Sequence, residues 1–417
     1  MLPVSVPMKS LRNCAHRGPI LQLNTPPQPV PSFVLFSLGF RPFFLLAGVY
    51  ALISMLVWGG IYVYGWAMPR MPFSTMRWHA HEMVFAYGMA VAAGFLLTAV
   101  RNWTGFDTLR GYPLAGLAAL WVAARAAGWI FPEQVLPMMV LDLMFDLWLV
   151  IVIFRPLLHA KQYDQIGIAS KLVLLMLANL CFYLGVSGVL EHGIVWGLYS
   201  GLYVLLALVY SMARRVLPMF IERGVGYPVK LRNRAWIDRA VIYVFVLFLI
   251  ADVFWRNVPV TAALAGLLFA AHAMRLVGWH TGGIWNKPLL WVIYVGYGGA
   301  TFGFLLKALA PFTSLPPSLA LHAFALGGIG MITAGMMARI SLGHTGRNIG
   351  QHSRLLAPAF AALCATYVAR VLLPIIAPEH TLLWLGIAQA AWMIAFALFV
   401  WVYAPILVKP RADGMPG

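Results

Sequence analysis

Charge is scarce in this chain. Of 417 residues, 12 are Asp or Glu and 29 are Lys or Arg, so charged residues make up 10%, whereas a soluble domain carries about 25%. Cysteine is scarcer still: Cys14, Cys181 and Cys364 are too few and too scattered for a disulfide framework or a thiolate metal site. The sequence has no Cys-x-x-Cys-His, so any haem is held without covalent attachment. It has no Gly-Lys pair for a phosphate loop, and Gly328-Ile329-Gly330 does not complete a dinucleotide fingerprint. Residues 1–41 lack a continuous apolar stretch and contain Pro26, Pro27, Pro29 and Pro31. They read as a disordered cytoplasmic arm and not as a cleaved signal peptide.

What is abundant is apolar. Hydrophobic residues reach 62% and mean hydropathy is +0.83. Twelve runs of roughly 20 apolar residues, the length that crosses a bilayer, lie between residues 43 and 406. The expected fold is therefore all-α, a polytopic transmembrane helical bundle. A Pro- and Gly-containing basic loop at 214–235 divides it into helices 1–6 (42–213) and 7–12 (236–406), and a short tail follows at 407–417.

The net charge of +17 follows membrane topology and needs no nucleic-acid partner. With both termini cytoplasmic, 21 of the 29 Lys and Arg fall in the inner segments, 3 (Arg70, Arg77, Arg256) in outer loops and 5 within spans. That is the positive-inside pattern on a lipid bilayer.

Histidines then stand out, because a polar side chain in hydrocarbon is costly unless it is paired, and neutral imidazole is a common metal ligand. The sequence divides them into two levels. His79, His81 and His322 fall at the outer ends of helices 2 and 10. His272, Arg275 and His280 fall at the inner end of helix 8, with His344 and Arg347 just beyond helix 10. His322 and His344 are about 33 Å apart along a continuous helix, so two sites are expected. His79 and His81 are two residues apart and point roughly 200° from each other. One is expected as ligand and the other as a supporting or substrate-facing group, with His79 on the face of Glu82 or Met83.

Arg275 beside His272 suits a haem propionate, and this inner level is the favoured haem position. Met336 and Met337 suit Cu(I). His159, His192, His352 and His380 read as interfacial residues, and most of the 20 Met as packing. Asp142 with Asp146, Asp238 with Arg239, Asp252, Arg125 and Arg370 are expected to form buried pairs, with a proton path as the alternative. Glycine pairs such as Gly197 with Gly201 and Gly299 with Gly303 read as close helix contacts. A faint echo links His81, Ala93, Gly94, Thr104 and Gly105 to His322, Ala334, Gly335, Thr345 and Gly346 at the same spacing.

Several blocks together resemble a known family. Gly39-Phe40-Arg41-Pro42-Phe43-Phe44, Trp78-His79-Ala80-His81-Glu82-Met83, Gly94-Phe95-Leu96-Leu97-Thr98-Ala99-Val100, Asn102-Trp103-Thr104-Gly105 and Leu342-Gly343-His344-Thr345-Gly346-Arg347 are similar to the signature segments of the NnrS family of bacterial membrane proteins. The resemblance runs over nearly the whole chain after residue 33. It implies a twelve-span protein of the bacterial inner membrane that binds haem b and copper and is tied to nitric oxide metabolism and nitrosative stress in denitrifying or nitric oxide-exposed bacteria. His79, His81, His272, His280, His322 and His344 carry over as the family's histidines. The resemblance does not fix the reaction, and a haem/copper redox enzyme acting on nitric oxide is one expectation. A transporter whose His, Asp and Arg residues line a solute or proton path, or an assembly subunit, would also suit the intramembrane charges.

Overall fold

The computed structural model describes residues 34–415. Most of the expected N-terminal arm, residues 1–33, lies outside them.

Twelve helices of membrane length run through the described residues, with no strand among them. They are α1 (Phe40–Tyr62), α2 (Thr75–Thr104), α3 (Tyr112–Ile130), α4 (Val135–His159), α5 (Tyr163–Val186), α6 (Gly193–Gly224), α7 (residues 235–255), α8 (Val258–Trp279), α9 (Pro288–Phe312), α10 (Pro317–His344), α11 (Leu356–Ile376) and α12 (Thr381–Val408). Eleven are long and apolar enough to cross a membrane. The exception, α7, carries Asp238, Arg239 and Asp252. The fold is thus the expected polytopic helical bundle. Its two ends meet at one side: Arg41 at the start of α1 donates to the carbonyls of Leu407 and Lys409, at 2.8 and 2.9 Å, as α12 finishes.

One expected boundary moves. The sequence places a loop from residue 214, but α6 continues to Gly224 and the connection is only 225–234. Leu217 and Ile221, four residues apart on one face, are fully buried and hold the extra turns to the bundle despite Pro218 and three arginines.

Glycine sets the closest helix contacts. A Cβ on Gly327 of α10 would lie 2.5 Å from the Ala300 backbone nitrogen in α9, and one on Gly197 of α6 would lie 2.6 Å from the Ala178 carbonyl oxygen in α5. Backbone cannot yield as a flexible side chain does. Gly327→Ala is therefore expected to cost about 1–3 kcal/mol of stability, the range for overpacking, read as a lower thermal midpoint of the detergent-solubilised protein.

Four stretches depart from α geometry into π-helix among the described residues: Glu82–Gly88, Ile250–Trp255, Ala323–Met331 and Val368–Leu372. Such wide turns rotate every following side chain relative to an α-helix and are frequent at functional sites. Two of them begin at the residue after His81 and after His322, so the faint sequence echo between these histidines has a local structural counterpart.

Candidate cofactor cavity

Three of the four π segments converge on a cavity of about 380 Å³ near the end of the bundle opposite the termini. Its walls are mostly apolar and come from α1, α2, α6, α10, α11 and α12, with Met55, Met83, Leu202, Ile329 and Trp392 among them. The polar side chains facing it are few: His79, His322, Arg370, Gln389 and the exposed Arg77, with the hydroxyls of Tyr87, Tyr199, Ser318 and Thr366. This pattern, an apolar hollow with a few convergent polar groups, is that of a small-molecule or cofactor site.

Each polar group is held differently. His322 sits on the last α-helical turn before the π stretch and donates from Nδ1 to the Ser318 carbonyl at 2.7 Å. In a neutral imidazole this leaves the lone pair on Nε2, and a ring N–H fixed on a carbonyl is the usual support of a metal-binding histidine. His79 stacks on Trp58 with centroids 4.5 Å apart and planes 13° from parallel. Its buried Nδ1 has no hydrogen-bond partner among the described residues. Arg370, within the π stretch of α11, lines the same space and makes no ion pair with any described residue. The cavity thus gathers two imidazoles with uncommitted nitrogens and two guanidiniums without an acidic partner among the described residues, half-buried Arg370 and exposed Arg77.

His81 serves another purpose. Its Nδ1 lies 2.9 Å from Glu82 Oε1 and its Nε2 3.1 Å from Asn179 Oδ1, so both nitrogens are engaged within the protein. Around it runs a largely buried network from five helices. Arg125 of α3 pairs with Glu82 at 3.2 Å and with Asp142 of α4. Asn179 of α5 donates to both Asp142 (3.2 Å) and Asp146 (2.9 Å). Tyr183 donates to Asp142 at 2.9 Å, and Tyr50 of α1 donates to Glu82. His79 and His81 face different surroundings, as their spacing predicts, but Glu82 sides with His81. Glu82 opens the π stretch, and the altered turn moves it off the face that α-helical spacing assigns.

The inner level does not assemble into one site. His272 is sandwiched between Tyr210 and Phe304, at 4.4 and 5.5 Å between centroids, and its Nδ1 meets the Tyr297 hydroxyl at 2.6 Å. Arg275, expected to await a propionate, instead donates to Asp238 at 2.6 Å and to Tyr297 at 3.4 Å. Asp238 therefore pairs with Arg275 and Arg214 rather than with its neighbour Arg239. His280 accepts from Trp285 Nε1 at 3.3 Å in the connection after α8.

His344 lies at the other end of α10, its ring 5.7 Å from that of Phe40. Its carbonyl accepts from Arg411 at 3.0 Å, and the same Arg411 guanidinium, hydrogen-bonded to Asp413, holds that carboxyl down to about 2. Arg347 reaches the Thr345 carbonyl at 3.4 Å. Met336 and Met337 line a small apolar cavity that has no His, Cys, Asp or Glu in its walls, so they do not form a His/Met copper set. Among the described residues no three His, Cys, Asp or Glu side chains cluster as a metal site.

Beside the main cavity, and sharing Val195 and Tyr199 with it, lies a more polar one of about 360 Å³ containing Asp252, Arg256 and Lys307. Asp252 accepts from Lys307 Nζ at 2.8 Å and from the Tyr203 hydroxyl at 2.5 Å. Sequence reasoning read Arg370 as half of a buried pair and passed over Trp58 and Gln389. The available signal for Arg370 was an arginine with no acidic residue in its own span.

Compared with known proteins, the chain matches a family model described as NnrS protein over residues 34–411. No curated protein matches it.

Proposed function

The chain belongs to the NnrS family, and from that premise we propose that the cavity between α2, α10 and α11 is its haem site, with His322 as the residue that would hold the iron. The observation that carries this reading is the His322 ring, fixed through Nδ1 on the Ser318 carbonyl and lining a cavity of about 380 Å³. The other walls fit the same group. Apolar and aromatic side chains suit a macrocycle, unpartnered Arg370 suits a propionate, and His79 with its orphaned nitrogen would suit a second ligand or a contact to a bound molecule. The inner level fits less well, because Arg275 is already spent on Asp238.

Haem bound here would supply an iron that takes a diatomic ligand such as nitric oxide and exchanges electrons with it. This chain's own part is to orient the imidazole, exclude bulk water with apolar walls and offset negative charge through Arg370. The proposed role is in nitric oxide metabolism or protection from nitrosative stress, in the bacterial inner membrane. Copper is the less supported cofactor, and Met55, Met76 and Met83 lie nearer to the imidazoles than Met336 and Met337 do in the sense that they share their cavity. The 21 to 3 distribution of basic residues supports cytoplasmic termini, which puts the cavity toward the outer face.

The test is the absorption spectrum of the purified protein. An intense Soret band is expected, and acid-acetone should extract the pigment completely, since no Cys-x-x-Cys-His is present to retain it. A colourless, iron-free preparation, or haem that stays on the denatured chain, contradicts the reading.

A further inference from the structure

The cavity that holds Met336 and Met337 continues the cofactor cavity along the same three helices. On α2 the walls pass from His79, Met83 and Tyr87 to Gly88, Val91 and Ala92. On α6 they pass from Leu198 and Leu202 to Leu205, Leu208 and Val209, and on α10 from His322 and Leu326 to Ile332 and Met336. Ile329 belongs to both. The two hollows are therefore neighbours in a single apolar stripe, meeting at Ile329.

The walls of the smaller hollow define what it can hold. Thr333 is its one residue with a polar side chain, and that hydroxyl is already committed: it donates to the Ile329 carbonyl and is 2.9 Å from the Tyr87 hydroxyl. A buried water needs about two to four polar partners, and these walls offer none. An ion would find still less. The volume of about 50 Å³ exceeds the roughly 10–15 Å³ on the same kind of measure that one water needs, yet it is far below that of the cofactor cavity. Phe95 and Ile340 are its half-buried walls, so access on that side is the least obstructed.

We infer that this hollow is a docking pocket for an uncharged, apolar molecule of diatomic size, adjoining the cofactor cavity through Ile329. Its existence rests on the walls alone, while its use as a reservoir for the cofactor's ligand rests on the proposed function. A dry apolar cavity that admits a diatomic also admits xenon, which makes xenon the probe.

Crystals of the full-length protein pressurised with xenon are expected to show a xenon atom enclosed by Val91, Leu208 and Met336. Ala92→Phe, which fills the space, should abolish it. Val209→Phe, entering from α6, gives the same test should the first variant fail to fold. Xenon absent from this pocket in the wild type, or bound equally in a folded, filled variant, overturns the inference. Haem content read on the same preparations reports on the cofactor proposal separately, because xenon binding does not require the cofactor.

Discussion

Replacing His322 by Ala is expected to reduce haem in the purified protein to less than a tenth of the wild-type ratio. The side chain does two things at once: its ring is held by the Ser318 carbonyl at 2.7 Å, and it lines the cavity with the remaining nitrogen. Changing even an outer partner of a metal ligand typically costs about 10–100-fold in affinity, and loss of the ligand itself should cost at least that. The deletion leaves a space of imidazole size, so added imidazole should restore the Soret band in His322→Ala. That rescue separates lost ligation from lost folding. Unchanged haem content in a folded His322→Ala protein would remove this histidine from the site.

The second large effect is structural. Arg125→Leu should destabilise the bundle by about 3–5 kcal/mol, the usual consequence of removing one partner from a buried ion pair. Among the described residues Arg125 is the one guanidinium facing Glu82 and Asp142, both almost wholly inaccessible. Without it the two carboxylates remain buried beside Asp146 with only His81, Asn179, Tyr50 and Tyr183 to satisfy them. The expected result is a large fall in the denaturant or thermal midpoint in micelles. A change under about 1 kcal/mol, the value of an exposed pair, would mean that the network is hydrated and contributes little.

These two residues also show where sequence reasoning succeeds and stops. Depth along a helix is a matter of counting, so His79 and His322 could be placed at one level from the direction and start of their spans, and the cavity does bring them together. Azimuth is not countable once the helix changes type. The π stretches after His81 and His322 leave no mark in an apolar sequence, and they turn Glu82 to His81 instead of His79. Partner choice across helices was equally hidden: nothing in the chain indicates that Arg275 meets Asp238.

The spans themselves were legible because long apolar runs have few alternatives. Even α7, with its three charges, was correctly placed as a helix. The end of α6 was misjudged because Arg214, Arg215, Pro218 and Gly224 carry the composition of a loop, while the burial of Leu217 and Ile221 that overrides it is a tertiary effect. Composition likewise drew attention to Met336 and Met337 as sulfur ligands, whereas their surroundings are wholly apolar apart from one satisfied threonine.

The central claim is that iron sits among His322, His79 and Arg370. An anomalous difference map collected at the iron edge from crystals of the purified protein locates it directly. The peak is predicted in the cavity between α2, α10 and α11, within coordination distance of His322 Nε2. A peak beside His272, or at His344 at the other end of α10, with none in this cavity, would contradict the account.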